Sequence, residues 1–258
     1  MKNLKIAPSI LAADFSKLGE DIRKAEESGA DLIHFDIMDG HFVPNLTMGV
    51  DLVKAVRRYT NLPFDVHLMT KPSINWIEPF YNAGANIITI HVESEINPIT
   101  TLKKIRSLGM KAGISLKPNT SEIKIKSFLK YCDLILVMTV NPGFGGQSFI
   151  EHTYEKVKQL VCLRKESDAN FLIEIDGGVR RNPNAGANDK GKGSYLWDAV
   201  RFANKVFCIV NAVRNSAEYD YVLWLDADTF TFRAVPLTFF SNILLPNTCL
   251  LYTSPSPR

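Results

Sequence analysis

Long apolar runs are missing from this chain. No stretch of its 258 residues approaches the ~18 consecutive apolar residues of a membrane-spanning helix. At the N-terminus, Pro8 and Ser9 interrupt the short apolar stretch of MKNLKIAPSI, which argues against a secretory signal. Cysteine is scarce: Cys132, Cys162, Cys208 and Cys249 lie far apart and match no CxxC or zinc-site spacing. That pattern argues against a disulfide framework and fits reduced structural thiols in a cytoplasmic protein. An excess of one charge is also missing. Lys and Arg number 30 against 27 Asp and Glu, and they are dispersed, which argues against a nucleic-acid partner. No G-x-G-x-x-G follows the first apolar run, which counts against a Rossmann fold. These absences point to a soluble, cytoplasmic globular protein with neither membrane nor nucleic acid as partner.

Short apolar runs alternate with segments of helical period. The runs are LKIAPSI (4–10), DLIHFDIM (31–38), PFDVHLM (63–69), NIITIHV (86–92), MKAGISL (110–116), DLILVMTV (133–140) and FLIEIDG (171–177). Between them lie amphipathic stretches such as FSKLGEDIRKAEESG and ITTLKKIRSLG, with apolar residues recurring at three and four. Gly29, Gly84 and Gly109 follow such stretches, where a left-handed helix cap is expected. SGADLIHFDI and AGANIITIHV echo one another, each a small turn leading into a strand. Nearly continuous apolar strands alternating with helices imply a parallel sheet covered by helices. Seven such units at regular spacing predict an α/β fold, a (β/α)₈ TIM-type barrel rather than an open doubly wound sheet. An eighth strand is then owed by the residues after 179.

In a parallel barrel, chemistry collects at the C-terminal strand ends. His34, Asp36 and Met38 are spaced by two and so share one face of strand two; His67 and Met69 do the same at the end of strand three. Asp176 ends strand seven, directly before Gly177 and Gly178. Any one of these could be an ordinary core histidine or turn-forming aspartate. Together they place two imidazoles and two carboxylates at one barrel mouth, where unpaired buried charge costs several kcal/mol. A shared divalent transition metal such as zinc, iron or manganese would partner all four. Met38, Met69 and Met138 are either core filling or an apolar collar around an anionic intermediate. NPGFGGQ (141–147) is either a flexible turn or a loop whose amides approach a phosphate.

APSILAADF, HFDIMDGHFVPN, DVHLM, VMTVNPGFGGQSFI and EIDGGV together resemble the ribulose-phosphate 3-epimerase family, in that family's order and over residues 1–179. The resemblance implies an isomerase of carbohydrate metabolism, in the pentose phosphate pathway, that interconverts ribulose 5-phosphate and xylulose 5-phosphate. It implies that His34, Asp36, His67 and Asp176 hold one divalent metal ion (zinc, iron, manganese or cobalt), with no organic cofactor. Asp36 and Asp176 would be the catalytic acid/base pair, and Ser9 and His67 would touch the phosphorylated pentulose. Gly143, Phe144, Gly145 and Gly146, with Gly177 and Gly178, would hold its phosphate. The oligomeric state stays open, a homo-oligomer included.

Past Val179 the family pattern of a short helix and a strand ending in Gly-Ser is replaced by a polar linker (180–193). A helical stretch (194–220) and YVLWLDADTFTF (221–232) follow. The latter is similar to the strand and DxD motif of nucleotide-sugar glycosyltransferases, with Asp226 and Asp228 as the acids, although a strand ending in a turn reads the same way. Two domains are therefore expected: 1–179, units one to seven of an epimerase-like barrel, and 180–258, an atypical C-terminal segment. The second is either a fused foreign piece or an insertion in a divergent epimerase. The alternative function is a glycosyltransferase-derived fragment joined to an inactive sugar-phosphate-binding barrel. DYVLWLDA (220–227), apolar on both faces, is expected to fill the eighth strand position, with 180–193 and 247–258 poorly ordered.

Overall fold

A computed structural model describes residues 5–145, 147–167, 169–177 and 249–253. Its strands are β1 Lys5–Pro8, β2 Ile33–Met38, β3 Phe64–Met69, β4 Ile87–His91, β5 Lys111–Leu116, β6 Leu134–Met138, β7 Leu172–Asp176 and β8 Cys249–Thr253. They form one eight-stranded parallel sheet in the order β1-β8-β7-β6-β5-β4-β3-β2. Its two ends meet at a parallel bridge between Ser9 and His34, and the Asp31 amide donates to the Ile6 carbonyl at 2.9 Å. The result is the α/β TIM-type barrel that the alternation predicted.

The connecting helices are α1 Leu18–Glu27, α2 Val50–Val56, α3 Ile77–Asn82, α4 Pro98–Ser107 and α5 Thr153–Glu166, with a 3₁₀ segment over Glu122–Tyr131 between β5 and β6. The Asp14 side chain accepts from the Ser16 amide and starts the turn that leads into α1. Asn97 caps α4, whose first residue, Pro98, loses nothing by lacking an amide hydrogen there. Gly29, Gly84 and Gly109 end their helices at φ of 92°, 97° and 83°, as the sequence predicted. Among the described residues, no helix is long and apolar enough to cross a membrane.

Strand alternation sorts the chain into two layers. Phe35, Ile37, Phe64, Val66, Ile88 and Ile114 pack with Ile22, Val53, Phe80 and Ile105 of the helices in one large apolar cluster. The Phe35 and Phe64 rings lie 4.6 Å apart, and burying each side chain contributes roughly 1.5–3 kcal/mol. The opposite parity fills the barrel. Ala7, Leu32, Ile87, Leu134, Leu136 and Met138 form a second, smaller apolar cluster. The polar residues of that same parity, described below, sit toward the C-terminal strand ends.

The eighth position departs from the expectation. Cys249–Thr253 occupies it, hydrogen-bonded to β7 through Ile173–Asp176 on one side and to β1 through Lys5–Pro8 on the other. This corrects both the placement of 220–227 there and the reading of residues after 247 as wholly tail. The described pairing runs to Thr253, and Pro255 and Pro257, which follow in the sequence, cannot donate to a ladder. A five-residue strand beside those prolines carries too little periodic signal to stand out in the sequence. Residues 180–193 and 220–227 themselves lie outside the described residues.

Candidate metal and acid–base site

Four strands deliver the predicted side chains to one point. In register, Asp36 on β2 lies beside His67 on β3, and Met138 on β6 lies beside Asp176 on β7. His67 Nδ1 is 3.1 Å from Asp36 Oδ1 and 4.0 Å from Asp176 Oδ2, while His34 Nε2 is 3.6 Å from Asp36 Oδ1. Ser9, just past β1, donates through Oγ to Asp36 Oδ2 at 3.0 Å and accepts from the Leu11 amide. All five side chains are buried.

The donor set suits a divalent cation. Metal–ligand bonds of about 2.0–2.2 Å put neighbouring ligand atoms roughly 3–3.5 Å apart, close to the spacings found. His34, Asp36 and His67 each offer an atom within 4.8 Å of the others. Asp176 Oδ1 is buried without a hydrogen-bond partner among the described residues, a cost that a cation would remove. The group therefore fits a metal ion, and its imidazole and carboxylate chemistry matches the sequence expectation.

The two aspartates differ in character. Burial alone would raise the Asp36 carboxyl, but the neighbouring His34 and His67 imidazoles outweigh it and hold the group well below the usual carboxylate range. Burial, followed by the negative charge of Asp36, holds Asp176 well above that range. Burial keeps His67 below the ordinary imidazole value. For His34 burial acts in the same direction, yet Asp65 and its other acidic neighbours raise the group overall. A pair of carboxyls pushed apart in this way is suited to act as one base and one acid.

The barrel also supplies residues that the sequence reading passed over. Asp65 Oδ2 is 2.7 Å from His34 Nδ1, and Glu174 Oε1 is 3.4 Å from the same nitrogen. His91 Nε2 is 2.9 Å from His67 Nε2. Asp65 and Glu174 stand two residues before His67 and Asp176, so strand parity alone places them on the inner face. Such partners orient metal-holding side chains.

The methionines divide. Met38 and Met69 cluster with Val43 beside Leu11 and Phe42, whereas Met138 belongs to the apolar filling of the barrel. The loop after β6 is tied across the mouth by Asn45 Nδ2, which donates to the Gly143 carbonyl at 2.8 Å. Gln147 Nε2 braces it from within by donating to the Asn141 and Phe144 carbonyls at 2.6 and 2.7 Å. Gly143 adopts φ of 118°, Gly145 is buried, and Phe144 is 44% exposed. Thr139 Oγ1 donates to the Asp176 carbonyl at 2.8 Å and also bonds the Gly177 carbonyl, joining the ends of β6 and β7. Gly177 has φ of 100°, and a Cβ there would lie 2.3 Å from Val140 Cγ2, so only glycine fits. Gly146, Gly178, Asp226 and Asp228 lie outside the described residues.

Known proteins resemble this chain over most of its length. Residues 5–194 match the model of the ribulose-phosphate 3 epimerase family, reaching beyond residue 179, where the sequence motifs end. A ribulose-phosphate 3-epimerase of Synechocystis sp. is 46% identical over 220 residues, covering 83% of this chain and 96% of the relative. Those of Bacillus subtilis and Escherichia coli K12 are each 45% identical, covering 75% and 77% of this chain and 92% and 91% of the relatives. Among solved structures, one described as "Native KDPGal structure" superposes with a TM-score of 0.53 at 11% identity, covering 84% of this chain and 96% of the other. That likeness concerns the fold alone. The chain belongs to the ribulose-phosphate 3-epimerase family and is an enzyme of the isomerase class.

Proposed function

We propose that this chain epimerises D-ribulose 5-phosphate at C3 to D-xylulose 5-phosphate, with Asp36 and Asp176 as the proton-transfer pair. Family membership supports the reaction. The observation that carries the residue assignment is the pair of buried carboxyls beside one nitrogen, His67 Nδ1, at 3.1 and 4.0 Å. Inverting C3 requires loss of a proton from carbon next to the C2 ketone and return of one to the opposite face. The ionised Asp36 takes the proton, and the protonated Asp176, entering from a strand two positions around the closed sheet beyond β1, returns one. The reverse reaction exchanges the roles.

His34, Asp36, His67 and Asp176 are the residues that would hold one divalent ion, zinc, iron, manganese or cobalt. Such an ion supplies Lewis-acid stabilisation of the negative charge that develops on the substrate oxygens. Ser9, besides touching substrate, orients the base by donating to Asp36 Oδ2. His67 lies against substrate from the side of β3. Gly143, Phe144, Gly145 and Gly146, with Gly177 and Gly178, offer backbone amides to the phosphate. The positive φ at Gly143 and Gly177 supports this reading, since both loops turn in a way that other residues resist.

The chain boundary is read in the same spirit: 1–179 carries the family motifs and 180–258 is an atypical segment of different origin. Loss of apolar periodicity over 180–193 supports it. The segment still contributes β8 to the barrel. No described residue favours the glycosyltransferase alternative. A coupled assay for xylulose 5-phosphate tests the proposal on the full chain with added divalent metal. Steady product formation is expected, and binding of metal and substrate without turnover would overturn it.

A further inference from the structure

His67 and His91 approach one another through like atoms, Nε2 to Nε2 at 2.9 Å, with neither ring exposed to solvent. Two ring nitrogens this close form a hydrogen bond only when one carries the hydrogen and the other a lone pair. Both ends of this relay are carboxylates, Asp36 beside His67 and Glu93 beside His91, so two neutral imidazoles bring two hydrogens to three gaps, and a cation at the Asp36 end settles which gap goes without. His91 Nδ1 lies 3.2 Å from Glu93 Oε2, and a carboxylate oxygen only accepts, so the His91 hydrogen belongs on Nδ1. Nε2 of His91 is then the lone pair. His67 Nε2 must carry the hydrogen that this lone pair receives, which leaves His67 Nδ1, on the Asp36 side of the ring, as a lone pair facing the site. That nitrogen and Asp36 Oδ1 are 3.1 Å apart, a contact that two acceptors make comfortably only with a cation between them.

Glu93 is itself anchored. Its Oε1 accepts from the Lys117 amide at 3.0 Å and from the Thr120 hydroxyl. Two donors on that oxygen keep the other turned toward His91. The Phe42 ring, 4.7 Å from His91, covers the imidazole, and the Lys117 ammonium lies 4.2 Å from the Phe42 ring. The chain Lys117/Thr120–Glu93–His91–His67 therefore runs from the loop after β5 to the centre of the barrel.

We propose that Glu93 and His91 are positioning residues that fix His67 as its Nε2–H tautomer, so that Nδ1 serves as a donor to a divalent cation. The proposal rests on the reading of His67 as a metal-holding residue. His34 is served directly by Asp65; His67 is served at one remove, through a second imidazole. An outer partner of this kind governs metal affinity, and losing it lowers that affinity about 10–100-fold.

Glu93→Gln separates tautomer control from mere packing. The amide is the same size, and the donors at Lys117 and Thr120 hold its oxygen where Oε1 now sits. Its NH₂ then faces His91 Nδ1 and donates to it, which reverses every hydrogen in the chain and places a hydrogen on His67 Nδ1. Imidazole ¹⁵N–¹H correlation spectra of the zinc-loaded full chain should show His91 protonated at Nδ1 and His67 at Nε2, and those of the metal-free variant should show His91 protonated at Nε2. Cobalt(II) affinity, measured by chelator competition, should fall about 10–100-fold in the variant with its metal-free melting temperature retained. Zinc-loaded wild-type His91 carrying its hydrogen on Nε2 would overturn the proposal, and this reading needs no variant to fold. So would cobalt affinity in Glu93→Gln within twofold of the unaltered chain. A wild-type chain that binds neither zinc nor cobalt would instead sink the metal reading on which the proposal stands.

Discussion

His34 and Asp65 stand directly opposite one another on adjacent strands, with Nδ1 2.7 Å from Oδ2 and neither side chain exposed. A buried carboxylate this close to one nitrogen of an imidazole fixes which nitrogen bears the hydrogen, and so leaves Nε2 to face Asp36. Asp65→Asn removes the charge while keeping the shape. Cobalt(II) binding to the variant should weaken about 10–100-fold, followed by titration against a chelator. Unchanged affinity would mean that packing alone orients His34.

Glu174 makes the metal-free protein sensitive to alkali. Burial, then the neighbouring Asp65, pushes its carboxyl up from 4.5 to about 8. Between pH 6.5 and 8 the folded chain therefore holds a proton that the unfolded chain has released, and stability falls as pH rises. Asp176, also raised, adds to the fall. His67 and His91, lowered by burial, act with the opposite sign, but only below their ordinary value of 6.5. Urea midpoints of the chelator-treated protein should drop from pH 6.5 to pH 8, and Glu174→Gln should flatten that slope. Equal slopes in the two proteins would show that Glu174 is ionised throughout.

Closure by β8 has a cost if it is removed. Ending the chain after residue 248 leaves the facing edges of β7 and β1 without partners, and open parallel edges invite association. The shortened protein should melt about 5 °C or more below the full chain and scatter more light. A truncated monomer with an unchanged melting curve would show that Cys249–Thr253 adds nothing to the barrel.

Most of the barrel and the heart of the site were legible because parallel strands write them in two periods. All seven apolar runs became strands, and the spacing by two in His34-x-Asp36-x-Met38 placed those side chains on one wall. Asp65 and Glu174 obey the same parity, yet a reading that stopped at the strand ends overlooked groups two residues deeper. His91 closes its strand in the same way, but its part depends on an imidazole 24 residues earlier. Asn45 bracing Gly143 spans 98 residues, a contact that no local pattern encodes. The eighth strand was misplaced because YVLWL carries a stronger apolar signal than CLLYT. Pairing to β7 and β1, which propensity does not report, gives the position to the weaker run.

The central claim is that Asp36 and Asp176 move the C3 proton between them and the substrate. It is tested most directly by following ribulose 5-phosphate in D₂O with the metal-loaded chain and with Asp176→Asn. An amide cannot take up or release a proton at neutral pH, and positioned proton transfer contributes about 10²–10⁴-fold to rate. The unaltered chain should form xylulose 5-phosphate carrying solvent deuterium at C3, and Asp36→Asn should lose turnover as completely as Asp176→Asn. Asp176→Asn epimerising at the unaltered rate with full metal occupancy would contradict the account.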